Sequence, residues 1–116
     1  MDIQKIMKKI LEFRDKRDWQ QFHDPKNLAE AISIEAAELQ ELFLWSDVKQ
    51  SRKIAAKKKK QIAEELADIF IFCLLFANET KIDLEKAILE KIKLNDQKYP
   101  VAKAKGTSKK YKDLLV

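Results

Sequence analysis

Glycine occurs once in these 116 residues, at Gly106, and proline only twice. Average usage is roughly 7% glycine, so the turn chemistry that depends on positive φ is almost missing. Two-residue hairpins, Rossmann phosphate loops and Walker loops all need glycine for φ > 0 or for close backbone approach to a phosphate. Excluding them leaves an all-α chain. Apolar residues make up 46% of the sequence and charged residues 37%, enough to bury a core and still cover helix surfaces with charge. The length supports one domain.

The longest apolar run, residues 69–77, falls far short of the roughly 20 residues that span a bilayer, and the first residues lack an apolar signal region. A cytoplasmic protein with no membrane partner is expected. Cys73 lies inside that apolar run, where a thiol acts as a small hydrophobe. Charge is divided unevenly. Residues 1–48 hold 7 basic and 10 acidic side chains, net −3, while residues 49–116 hold 17 and 9, net +8. A basic half of this kind suits nucleic acid or another phosphate-bearing partner.

Ile3, Ile6, Met7, Ile10, Leu11 and Phe13 recur at helical spacing and predict a first helix to about Arg17. Residues 18–25 break the period as a loop carrying Trp19 and Phe22. A second helix runs from about Lys26 to near Trp45. Ser51 is expected to cap a third, lysine-rich at first and strongly apolar from Ile62 to Ala77. Asp83 caps a fourth helix, stopped by Pro100. The domain is thus expected over residues 1–100 as a four-helix bundle, with 101–116 a basic tail. Lys57 to Lys60 read as a solvated helix face.

Acids fall where a surface would not put them. On a wheel of about 100° per residue, Leu28, Ala31, Leu39 and Leu42 lie within about 40° of Glu35, so Glu35 sits inside the apolar stripe. Glu38 flanks it, and Trp45 projects near Glu38 two turns on. On the third helix Glu65, Asp68 and Phe72 share a flank beside Ile62, Ile69 and Phe76. The helix is apolar nearly all round after Asp68, which predicts burial. An uncompensated buried carboxylate costs several kcal/mol, and no lysine stands at the i±4 positions of Glu35 or Asp68. Two inward acidic pairs with all-oxygen ligands favour a hard cation, Mg²⁺ or Mn²⁺. One histidine and one cysteine are too few for zinc or for a Glu-x-x-His di-iron site. Mg²⁺ typically joins carboxylates to substrate phosphates. Trp19, Phe22 and Trp45 then suit an apolar slot for a stacked base, with His23 at its edge.

These residues, in this order, resemble a known family. The pattern E-x-x-E (Glu35, Glu38), then E-E-L-A-D (Glu64 to Asp68), then K-x-x-x-N-x-x-K-Y-P (Lys91, Asn95, Lys98, Tyr99, Pro100) looks like the MazG-like all-α nucleoside triphosphate pyrophosphohydrolases. The stretches R-D-W-Q-Q-F-H-D-P-K-N (Arg17 to Asn27), E-L-F-L-W (Glu41 to Trp45) and G-T-S-K-K-Y (Gly106 to Tyr111) are similar to its dCTP pyrophosphatase-like branch. The resemblance covers about residues 10 to 114.

It implies hydrolysis of a nucleotide between its α and β phosphates, a house-cleaning activity on dCTP-like or modified dNTPs. It implies Glu35, Glu38, Glu65 and Asp68 as Mg²⁺ ligands, with one of them or Glu41 orienting the attacking water. Trp19, His23 and Trp45 match base-recognition positions. Phe72 stands where related members often carry Tyr, which removes a hydroxyl near the metal. Lys91, Asn95, Lys98 and Tyr99, with Lys109, Lys110 and Tyr111, match positions near the phosphates. The resemblance also implies a homo-oligomer, a dimer or a pair of dimers, and no nucleic-acid partner. An all-α dUTPase would share this chemistry with a different base pocket, and a basic helical nucleic-acid-binding module is the non-enzymatic alternative.

Overall fold

Four helices begin at an aspartate whose carboxylate accepts from the amide three residues on, the arrangement that satisfies an otherwise orphaned N–H. Asp2 accepts from Lys5 at 3.1 Å, Asp24 from Asn27 at 2.8 Å, Asp47 from Gln50 at 2.7 Å and Asp83 from Lys86 at 3.1 Å. The computed structural model describes residues 1–114, and all regular structure among them is helical. In chain order the helices are α1 (Ile3–Lys16), α2 (Pro25–Glu41), α3 (Val48–Lys57), α4 (Lys59–Glu79), α5 (Leu84–Lys98), and two single turns, α6 (Val101–Ala104) and α7 (Tyr111–Leu114). A 3-10 turn, Gln20–Phe22, lies between α1 and α2. The all-α expectation from the glycine shortage is met.

Four of the expected boundaries change, the first being the end of α2, which stops at Glu41 and not near Trp45. Ser51 lies inside α3, and Asp47 caps that helix in a reciprocal box, the Gln50 side chain accepting from the Asp47 amide at 3.0 Å. Asp47→Ala should lower stability by about 1 kcal/mol, read as a lower urea midpoint at unchanged slope. The expected third helix is two helices, interrupted at Lys58, whose ψ of 27° leaves the helical range. Residues 101–114, the described part of the expected basic tail, contain α6 and α7.

Lacking glycine, the chain reverses direction at other residues. Asp18 (φ 54°) and Lys81 (φ 57°) occupy the left-handed position after α1 and α4. Asp18 N–H donates to Asp15 O and Trp19 N–H to Arg14 O; Lys81 N–H donates to Asn78 O and Ile82 N–H to Ala77 O. Both are Schellman closures, ordinarily made with glycine. After α2 the chain runs through tight turns to Trp45, also left-handed at φ 65°.

The described chain divides into two compact units, Met1–Ile82 and the segment from Asp83 onward. In the first, α2 packs along α4, and α1 and α3 contact α4 as well. Leu28, 1% exposed, with Ile10, Leu74, Leu75 and Ala77, forms the core there. The expected all-round burial of α4 after Asp68 is not found: Phe70 is 53% and Ile71 36% exposed. In the second unit Tyr99 and Tyr111 pack edge to face with centroids 6.4 Å apart. Residues 115–116, the end of the expected tail, lie outside the described residues. Among the described residues no helix is long and apolar enough to cross a membrane.

Candidate functional site

The pairing of α2 with α4 brings Glu35, Glu38 and Glu65 together, with carboxylate oxygens within 4.8 Å of one another. Glu35 and Glu65 are half-buried and Glu38 is exposed. Each helix therefore turns one acid of its pair inward; Asp68, like Glu38, is solvent-exposed, so the pairs do not point wholly inward as expected. Glu35 Oε2 and Glu65 Oε2 are buried and have no hydrogen-bond partner. Such orphaned acceptors are costly unless something satisfies them.

Electrostatics point the same way. Burial, followed by the hydrogen bond to Glu38 and the charges of Glu38, Asp68 and Glu65, raises Glu35 to about 7. Glu65 is pushed up by burial and by the hydrogen bond and charge of Glu38, while its hydrogen bond with Glu35 pulls it down. The ion pairs among the described residues are Arg14–Asp15 and Lys26–Glu30, neither of which touches the cluster. Three convergent carboxylates, two with unsatisfied buried oxygens and none paired with a cation, fit a hard divalent cation such as Mg²⁺ or Mn²⁺.

Glu35 also belongs to the wall of a cavity of about 560 Å³, together with Asp68. Phe13, Trp19 and Phe72 supply its aromatic surface, and α1 and α4 give it an aliphatic one through Ile10, Ile71 and Leu75. Trp19 is held there by the Schellman closure of α1, and its ring meets Phe13 edge to face at 5.8 Å. Arg17 caps that pair, with its guanidinium 3.6 Å from the Phe13 centroid. His23 lines the cavity with Nδ1 buried and unpartnered. Burial and then the charge of Arg14 hold its pKa below the ordinary value, partly opposed by Glu79, which keeps the ring neutral at pH 7.

Other residues singled out in the sequence lie elsewhere. Trp45 is 93% exposed and lines no part of the cavity; Phe22 also lies outside the cavity wall. Glu41, the last residue of α2, is exposed. Lys91 and Asn95 are on α5, with Lys98 and Tyr99 at its end and Lys109, Lys110 and Tyr111 beyond, all within the second unit. There Lys98 Nζ stands 5.1 Å from the Tyr111 ring centroid.

The cavity adds one residue that the apolar count along α1 passes over. Arg14 is 6% exposed and lines the wall. Its signal was present in the spacing: residues 3, 7, 10 and 14 form one stripe, with arginine at the fourth position.

Comparison with known proteins identifies the family of the chain. The family model described as MazG-like matches residues 31–114. The proteins named dCTP pyrophosphatase 1 from Rattus norvegicus and Mus musculus are 40% identical over 105 residues, covering 89% of this chain and 62% of theirs. The Homo sapiens protein of that name is 36% identical with the same coverage. The chain thus spans less than two thirds of the length of these curated relatives. The crystal structure of a pyrophosphatase from Archaeoglobus fulgidus DSM 4304 matches with a TM-score of 0.83 at 36% identity, over 86% of this chain and 94% of that one. With residues 31–114, most of its length, matched by the family model, the chain belongs to the MazG-like family.

Proposed function

We propose that this chain is a Mg²⁺-dependent nucleoside triphosphate pyrophosphohydrolase, using water to split a (d)NTP, dCTP-like or modified, into its monophosphate and pyrophosphate. The observation that carries this reading is the junction at Glu35 of a three-carboxylate cluster with an aromatic cavity. A nucleotide has both matching parts, a polyanion and a planar base.

Glu35, Glu38 and Glu65 would hold the cation, with Asp68 as a fourth oxygen donor. Mg²⁺ or Mn²⁺ bound there would supply charge neutralisation for the phosphates and a lowered pKa for the attacking water. Glu41, or one of the four acids, accepts the proton of the attacking water, whose oxygen bonds to the α-phosphorus as the bond to the bridging oxygen breaks. Trp19, His23 and Phe72 take the base. Lys91, Asn95, Lys98, Tyr99, Lys109, Lys110 and Tyr111 are proposed phosphate contacts, drawn from the half of the chain that carries net +8. Trp45 is proposed to reach a base only as part of a homo-oligomer. The exposed Ile34, Leu66 and Phe70 on α2 and α4 support such an assembly, since a soluble monomer rarely leaves large apolar patches open.

The test is a panel of standard and modified nucleotides with Mg²⁺, Mn²⁺ or EDTA, reading pyrophosphate. Metal-dependent release from at least one nucleotide is expected, with Glu38→Gln slower by at least about a hundredfold. No turnover of any nucleotide, with Glu38→Gln indistinguishable from the parent, would overturn the reading. A dUTP-restricted activity would identify the dUTPase alternative.

A further inference from the structure

Arginine is almost never buried without partners that match its charge and its five N–H groups. Arg14 is buried, yet among the described residues its bonding is confined to Asp15. Nε donates to Asp15 Oδ1 at 2.8 Å, and Nη2 lies 2.8 Å from the same oxygen. Three N–H groups are left uncommitted on an arginine that lines the cavity. His23 Nδ1, in the same wall, is buried and unpartnered. A cavity lined mainly by aromatic and aliphatic side chains, with Glu35, Asp68 and Lys9 as its other charged residues, therefore holds unspent polar capacity on Arg14 and His23.

We infer that Arg14 determines base specificity: its free N–H groups, on the cavity wall that also carries His23, receive two adjacent hydrogen-bond acceptors on the edge of a nucleobase stacked in the cavity. This rests on the nucleotide reading above. The planar guanidinium fork matches paired acceptors and has no acceptor of its own. Cytosine offers O2 beside N3, and guanine offers O6 beside N7, the pair that arginine most often takes in DNA. Uracil and thymine set an N3–H donor between their carbonyls, so a donor would face a donor. Adenine places its amino group next to N1 and N7. The shared chemistry is an adjacent-acceptor edge, and Arg14 discriminates against bases without one.

The experiment compares kcat/KM for dCTP, dGTP, dATP and dUTP in the parent, Arg14→Gln and Arg14→Lys, with a thermal melt of each. Calorimetric titration of the metal-free proteins with the four monophosphates runs alongside. The parent is expected to prefer dCTP or dGTP over dUTP and dATP by at least about tenfold, and Arg14→Gln to reduce that ratio about 10- to 100-fold, the discrimination of one bidentate pair. The separate dCTP and dGTP arms say which edge is read. Arg14→Lys keeps the charge but not the fork, so its ratio should fall as well; if the glutamine variant does not fold, this one decides. A merely structural arginine would lower all four rates together and leave the ratio within about threefold of the parent, a tolerance below the tenfold step of one good pair. That result, or a parent preferring dUTP or dATP, overturns the inference. If no nucleotide is cleaved, the pyrophosphohydrolase reading fails by itself. The monophosphate titrations then judge Arg14: adjacent-acceptor preference lost in the variants supports the inference, and equal binding of all four overturns it.

Discussion

Glu35→Gln should abolish pyrophosphate release while making the metal-free protein more stable above neutral pH. Both effects come from the same burial. In the folded chain Glu35 titrates near 7 against an ordinary 4.5, so folding disfavours its ionised form. The stability tied to this group is therefore complete below about pH 4.5 and is lost as pH rises through 7. Glutamine keeps the shape and has no charge to desolvate. In EDTA, melts of parent and variant should converge in acid and separate above pH 7, in the variant's favour by on the order of 1 kcal/mol after solvent screening. Mg²⁺ should raise the parent's Tm and leave the variant's almost unmoved. Catalysis should fall by at least about a hundredfold, because a cation ligand contributes several kcal/mol to the transition state. Superimposable pH profiles of Tm would contradict the account of Glu35.

Leu28→Ala is expected to have the largest effect on folding. Leu28 is 1% exposed, the most completely buried large side chain among the described residues, and sits one turn into α2. Truncation removes its transfer energy and leaves a void between packed helices, costing about 2–5 kcal/mol. For a chain of this size that corresponds to a Tm lower by roughly 10 °C or more. Because α2 also carries Glu35 and Glu38, any nucleotide turnover should persist at assay temperatures below the lowered melt and vanish at those above it. A shift under about 2 °C, the change expected of a near-neutral surface substitution, would mean that α2 is held by something other than this core.

Much of this was legible in the residues. Helical structure followed from the lack of glycine, α5 from Asp83 and Pro100, and the inward Glu35 from wheel geometry. Features that depended on where a helix stops were not. Trp45 projects toward Glu38 only on a helix continuing to that residue, but α2 ends at Glu41 and Trp45 is left-handed. The break at Lys58 has no propensity signal, since lysine is a good helix former; four successive like charges stand there instead. Asp47 and Ser51 are both able caps, and the reciprocal bond of Gln50 decides between them. Arg14 was overlooked because an arginine in an apolar stripe counts as an interruption until a cavity is found beside it.

The Schellman closure of α1 also bears on how a ligand is received. Asp18 and Trp19 donate their amides into the last turn of the helix, so Trp19 belongs mechanically to α1 and not to the connection that follows. On the proposed function, a base entering the cavity would meet an aromatic wall already in position, and little conformational entropy would be surrendered in ordering it. Preorganisation of that kind is set by the backbone bonds that close α1 and not by contacts of the ring itself.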